Sequence, residues 1–308
     1  MRNAEMITVL MATRDRWAVL SSRSLASIKV QSRRPDQIVI VNDGQTFTRD
    51  QRGVICDIVT PTPVMVLENT RAPGVAGAWN TGLSYINDQG WEGYVAILDD
   101  DDEWDACHLE ENETSTQEDD VSIVISGLRL ALDGIEQDRQ LIDRITDRDF
   151  LIGNPGWQGS NTFVRLSLLK QAGGFRDGMP SLNDRDLAIR LLRLVSSNVA
   201  LIDQWTATWH INTNGTSLSS RRSPAKISGL KWFWQIYGNE MTVVEADAFF
   251  DRADRLFGVG RNDCKICKKR LAHGRPLLHV VSADLTTNNA HSASAHCTAL
   301  RIEPFTDK

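Results

Sequence analysis

The chain has few cysteines, no long apolar run and no excess of basic residues. Its five cysteines are odd in number, and three of them, Cys264, Cys267 and Cys297, fall in the second half. That is not a disulfide framework, and it fits a reducing compartment. The longest apolar stretches, such as VSIVISGL, fall far short of the roughly 20 residues that cross a bilayer. The start of the chain lacks the basic head, apolar middle and small-residue cleavage site of a secretory leader. A net charge of -6 excludes a general binder of nucleic-acid backbones, which select basic surfaces. No G-x-G-x-x-G follows the first apolar segment and no G-x-x-x-x-G-K occurs, so the usual dinucleotide and P-loop phosphate cradles are excluded. A cytoplasmic protein is expected, without a transmembrane segment and without nucleic acid. Its 308 residues, 41% hydrophobic with 9 Trp, suffice for one large core plus an appendage.

What is present alternates between two periodicities. MITVLMAT reads as a buried strand, residues 17–31 carry Val19, Leu20, Leu25 and Ile28 at helical spacing, and QIVIVNDG is a second buried strand ending in turn residues. Further strands are expected around 54–59, 64–67, 94–98 and 121–130, and a helix over 75–87. Strands that are apolar throughout, without alternation, belong to a sheet covered on both faces, as in parallel α/β folds. In such sheets ligands gather beyond the carboxyl ends of the strands. Three polar clusters stand at such ends: residues 13–16, residues 42–44, and the acids of YVAILDDDDEWD.

That acidic run invites comparison with a calcium loop. Asp99, Asp101, Glu103 and Glu110 take loop positions 1, 3, 5 and 12, but Trp104 sits at position 6, where the sharp turn needs glycine, and a strand precedes it. The calcium loop is therefore rejected. Most acidic runs are solvated loops. This one follows a buried strand directly, so its first carboxylates are fixed together beside the sheet, where they repel unless a cation lies between them. Mg²⁺ or Mn²⁺ suits these hard oxygen ligands, and would in turn hold a diphosphate.

In their order and spacing, ITVLMATRDRWAVLSSRSLASIKVQ, IVIVNDGQ, RAPGVAGAWNTGL and VAILDDDDEW resemble the successive motifs of family 2 glycosyltransferases with the GT-A fold. NPGWQGSNTFVRLSLLKQAGGF and GMPSLNDRDLAIRLL resemble that family's acceptor-side segment and catalytic helix start. The resemblance spans roughly residues 7–220. It implies a Rossmann-like, mostly parallel sheet and an inverting, metal-dependent transfer of a sugar from a nucleotide-sugar, by default a UDP-sugar, to an acceptor hydroxyl. Asp99 and Asp101 then occupy the D-x-D positions, Asp101 on the metal and Asp99 on the ribose or the metal's water shell, with Asp100 beside them. Asp43 would accept hydrogen bonds from the base, with Thr13, Arg14 and Arg16 around it. Arg71 would reach a phosphate and Asn80 would point into the donor site, while Gly74, Gly77 and Gly82 let the helix pack on the sheet.

The family's catalytic helix begins with an E-D pair, which here reads Asn183-Asp184. The resemblance leaves Asp184 as the base that takes the acceptor's proton, with Asp186 in reserve on the acceptor side. Inverting displacement needs a carboxylate on one face and charge neutralisation of the leaving diphosphate on the other. Trp157 reads either as a core anchor or as a wall that desolvates the base and stacks on a sugar. A lone histidine after a strand is more often structural, but the resemblance implies that His210 approaches the metal or the diphosphate; the polar loop 212–222 is expected to close over the donor, with Arg221 and Arg222 on the diphosphate.

Residues 1–222 are accordingly assigned to the GT-A domain and residues 223–308 to a helical carboxyl-terminal extension with a Cys/His cluster and a flexible tail. The aromatic cluster Trp232-Phe233-Trp234 is expected to be buried, with peripheral membrane contact as the other use of such a face. Cys264, Cys267 and Cys297 are candidate ligands of a structural Zn²⁺. The acceptor, whether glycan, lipid carrier, protein or small metabolite, is left open. A metal-dependent nucleotidyltransferase and a non-catalytic nucleotide-sugar binding module are the alternatives.

Overall fold

The computed structural model describes residues 5–117, 121–195, 198–211 and 220–264. Strand β1 (Ile7–Thr13) is followed by α1 (Trp17–Val19), which runs through a π-helical segment (Leu20–Ser24) into α2 (Leu25–Lys29). Then come β2 (Gln37–Asn42), α3 (Arg49–Val59), β3 (Val64–Glu68), α4 (Val75–Asp88), β4 (Tyr94–Asp99), β5 (Glu103–Trp104) and α5 (His108–Ser115). The second half holds β6 (Ile123–Leu132), β7 (Ile135–Gln137), α6 (Asp149–Ile152), a 3-10 turn (Gly159–Asn161), β8 (Thr162–Arg165), α7 (Leu166–Gln171), α8 (Asn183–Leu192), β9 (Val199–Ile211), α9 (Pro224–Tyr237) and α10 (Val243–Phe257).

Among the described residues the strands form one sheet in the order β3-β2-β1-β4-β8-β6-β9-β5, with β7 paired to β6. The four amino-terminal strands are parallel, and β8 then enters antiparallel to both β4 and β6. The sheet is thus mixed beyond β4. Both of its faces are covered, which is why the amino-terminal strands lack polar alternation. Leu10, Val39, Val41, Val95 and Ile97 face Trp79, Leu83, Leu187 and Phe233 on one side. Val9, Met11, Ile38, Ile40 and Leu98 face Leu25, Ile28, Ile55 and Leu109 on the other.

The expected strand at 54–59 is instead the second half of α3. Thr48 and Gln51 close a capping box, the Thr48 hydroxyl accepting from the Gln51 amide at 3.2 Å and the Gln51 side chain from the Thr48 amide at 2.9 Å. Ile55 and Val59, four residues apart, bury on one helical stripe. Of the aromatic cluster expected to be buried, Phe233 is fully enclosed and stacks on Phe249, while Trp232 and Trp234 are half-buried, Trp234 lying 4.6 Å from Phe250. No helix among the described residues is long and apolar enough to cross a membrane.

Candidate active site

Register assembles the site. Ala12 pairs with Asp99 and Thr13 with Asn42, so the ends of β1, β2 and β4 lie side by side and deliver Thr13, Asp43 and the four aspartates to one edge. Each aspartate then has its own surroundings. Asp100 is buried and braces β1: it accepts from the Thr13 hydroxyl at 2.7 Å, the Arg14 amide at 3.4 Å and Arg16 Nη1 at 3.0 Å. Asp101 points outward and pairs with the same Arg16 nitrogen at 2.5 Å. Its backbone carbonyl accepts from Arg23 at 2.7 Å.

Asp102 turns inward, accepting from Ser160 Oγ at 2.5 Å and from the His210 amide at 2.9 Å. Burial first, and then the charge of Asp101, push its carboxyl up to about 8. Asp99 is the exception. Among the described residues no cation and no hydrogen-bond donor reaches its carboxylate. It has room because residue 159 is glycine: a Cβ there would lie 3.0 Å from both carboxylate oxygens. Burial, and then repulsion from Asp102, Asp101, Asp100 and Asp184, hold the Asp99 carboxyl well above the usual range.

That repulsion brings in Asp184. Along 181–189 it is the one residue that is not fully buried, and its Oδ2 accepts from Asn154 Nδ2 at 2.6 Å. Asn154 is itself fixed, its Oδ1 accepting from the amides of Gly156 and Trp157 at 2.8 and 2.9 Å. Helix α8 begins after Leu182, whose φ of 68 places a leucine in the left-handed region. Such a backbone costs about 1–3 kcal/mol and clusters at functional sites. Next to Asp184, Asn183 Oδ1 is buried with no hydrogen-bond partner among the described residues.

Other expected residues have different occupations. Asp186 is fully enclosed, bound by Arg176 at 3.0 Å, by Arg190 at 2.7 Å and by the Tyr237 hydroxyl at 2.8 Å, so it cannot meet an acceptor. Asp186→Ala is expected to destabilise the fold by roughly 3–5 kcal/mol, because two guanidiniums lose their partner; denaturant unfolding checks this. Asn80 is spent on the backbone of Phe175, donating to its carbonyl and accepting from its amide, both at 2.8 Å, and does not enter the donor site. Trp157 is a core anchor, its indole N–H on Thr162 Oγ1 at 2.7 Å and its ring edge-on to Phe150, which leaves no face for a sugar. Arg71 joins Ser84 and Asp177 on the outside of α4.

Asp43 holds the loop before α4, accepting from Asn69 at 2.6 Å and from the Gly74 amide at 2.8 Å, with Arg14 3.6 Å away. His210 turns its Nε2 to Glu103 at 2.8 Å while its amide holds Asp102. Arg221 and Arg222 bind carbonyls at the end of α10, those of Arg255 and Gly258, and not the acidic edge. The rest of their loop, 212–219, lies outside the described residues, as do Cys267 and Cys297 of the expected zinc site. Cys264 is a buried thiol, raised to about 11 mainly by burial. Sequence reading passed over Ser160 and Asn154. Their signal was Asn-Pro-Gly followed by Gly-Ser-Asn, a turn-forming stretch whose side chains cap backbone groups.

The sequence profile of glycosyl transferase family 2 matches residues 8–192. The chain belongs to that family. It is a glycosyltransferase, and among solved structures its fold resembles S. aureus TarS 1-349 in complex with UDP-GlcNAc. That likeness has a TM-score of 0.57 and 17% identity, over 83% of this chain and 74% of the other. The mannosyltransferase PcManGT from Pyrobaculum calidifontis, in complex with GDP-Man and Mn²⁺, superposes with a TM-score of 0.54 at 16% identity, over 82% of this chain and 70% of the other. These likenesses establish the GT-A fold of this glycosyltransferase. No curated protein matches its sequence.

Proposed function

We propose that this glycosyltransferase inverts the anomeric carbon of a nucleotide-sugar, a UDP-sugar in the first instance, using Asp184 as the base that activates an acceptor hydroxyl. The observation that carries the reading is the nearness of Asp184 to Asp99, close enough for their charges to repel. Asp184, aimed by Asn154, lies within electrostatic reach of an Asp99 carboxyl that no cation or hydrogen-bond donor contacts among the described residues.

In the reaction the acceptor oxygen forms a bond to the anomeric carbon as the bond to the diphosphate oxygen breaks. Asp184 takes the hydroxyl proton, and the departing nucleoside diphosphate keeps the electron pair. The Asn154 hydrogen bond occupies one carboxylate oxygen and leaves the other to the acceptor. Thr13, Arg14 and Asp43 line the base end of the donor, and Arg16 sits between the nucleotide edge and the aspartates.

A divalent ion fits the donor set. Among the described residues no three His, Cys, Asp or Glu side chains close around one point, but Mg²⁺ and Mn²⁺ sites of this kind use one or two carboxylates and take their other ligands from water and substrate phosphate. Asp99 and Asp101 would hold it, with His210 beside them, and it would supply charge neutralisation for the leaving diphosphate. Neighbours bound to UDP-GlcNAc and to GDP-Man leave the base of this chain's donor to experiment. Incubation with UDP- and GDP-sugars in Mn²⁺ is expected to release nucleoside diphosphate slowly from one donor and to stop with chelator. Failure of every donor to bind or react would reject the assignment.

A further inference from the structure

Around Asp184 the protein also gathers cations that have no acid of their own. Lys226 lies in the first turn of α9, on the stripe formed with Gly229, Leu230, Phe233 and Tyr237 that faces the core. At Gly229 this helix comes so close to the start of α8 that a Cβ would lie 2.7 Å from that of Ser181. Lys226, one turn earlier on the same stripe, is thereby directed at the first turn of α8, where Asp184 stands. Its side chain is 6% exposed, and its ammonium has the face of Phe257 at 4.6 Å but no hydrogen-bond acceptor among the described residues.

Arg252 of α10 comes from another direction. A Cβ at Gly153 would lie 2.9 Å from Arg252 Nε, so this guanidinium packs against the residue before Asn154, the residue that aims Asp184. Arg139 has a buried Nη1 with no hydrogen-bond partner among the described residues. Arg185 is satisfied by the carbonyls of Phe150 and Leu151 at 2.6–3.0 Å, and it lies over the Phe233 ring, yet it too has no carboxylate on it.

Their electrostatic influences agree with these placements and run in sequence, Asp184 and Arg185 acting on Lys226, Arg252 on Arg185, and Arg139 on Arg252. Lys226 is lowered to about 8, chiefly by burial, with Asp184 opposing and Arg185 reinforcing. Arg252 is lowered by burial and then by Arg255 and Arg139. In a protein of net charge -6, Lys226 and Arg185 share the single carboxylate of Asp184 while Arg252 and Arg139 repel one another, and such a group is costly to hold together unless an anion arrives to neutralise it.

We propose that Lys226, Arg252 and Arg139 form an anion site beside the base, and that the acceptor is a phosphate-bearing alcohol whose phosphate they hold while its hydroxyl meets Asp184. A phosphate ester suits them better than a carboxylate, since it offers up to about two charges and three acceptor oxygens to cations converging from separate elements. The proposal rests on the transferase reading and adds the chemical class of the acceptor.

The test fills the donor site with UDP and Mn²⁺ and titrates inorganic phosphate, glycerol phosphate and glycerol by calorimetry. Glycerol phosphate and phosphate are expected to bind and glycerol not to. Lys226→Met and Arg252→Gln should each weaken phosphate binding about tenfold or more, with UDP affinity unchanged. The melting temperature of Lys226→Met should equal or exceed that of the wild type, because an unpaired buried charge is removed, whereas a merely structural lysine would give a lower one. Phosphate affinity unchanged from the wild type in both variants, or no phosphate binding by a wild type that binds UDP, would overturn the anion site. A wild type that binds neither UDP nor GDP in Mn²⁺ would overturn the transferase reading beneath it.

Discussion

Replacing Asp184 by asparagine is expected to lower kcat about a thousandfold while leaving donor KM and folding nearly intact. The shape is preserved and Asn154 can still pair with the side chain, so only the capacity to take a proton is lost. General-base contributions of about 10²–10⁴-fold set the scale. The contrast with Asp186 makes the result diagnostic. Two residues along the same helix, Asp186 has no exposed surface and three protein partners, so its substitution shows in stability and not in a selective loss of kcat. If steady-state kinetics found the Asp184→Asn enzyme within a few-fold of wild type, the base would have to be sought elsewhere.

The second large effect concerns the acidic edge. Asp101→Asn is expected to weaken Mn²⁺-dependent UDP binding by roughly a hundredfold. The pH dependence follows from the raised carboxyls. Asp102 titrates at about 8 against an ordinary value of 3.8, and Asp99 is also raised. Proton binding by such groups favours the folded state. The stability they confer on the metal-free protein is therefore complete below about pH 4 and is lost as the pH rises through about 8. A divalent ion competes with those protons, so the rise in melting temperature that Mn²⁺ produces should be greater at pH 8 than at pH 6. It should shrink in Asp101→Asn. Thermal unfolding with and without Mn²⁺ at the two pH values measures this, and an equal rise at both would count against a metal on these carboxylates.

Much of the fold is legible in the sequence because burial on both faces writes itself as unbroken apolar runs. β1, β2 and β4 are such runs, and each ends in the polar residues that the parallel register then sets side by side. The same signal misleads at 54–59, where Ile55 and Val59 sit in an apolar cluster but serve a helix begun by Thr48 and Gln51. Within the site, ordered motifs identify Asp99, Asp101 and Asp184 as candidates. They do not reveal that consecutive aspartates turn in different directions, Asp100 to Thr13 and Asp102 to Ser160, because that depends on strands β1 and β9 far away in the chain. Asn80 and Trp157 carry polar groups that suit a ligand as well as they suit the backbone and side-chain partners they have in the fold. Lys226 belongs to no motif, and only the close approach of α9 at Gly229 directs it at Asp184.

Product identity tests the central claim most directly. Wild-type protein, Mn²⁺, the preferred nucleotide-sugar and an acceptor would be followed by phosphorus NMR. Sugar transfer predicts that nucleoside diphosphate accumulates as the only new nucleotide, in step with a new glycosidic bond of inverted configuration. Accumulation of pyrophosphate, or unchanged donor that nevertheless binds, would contradict it.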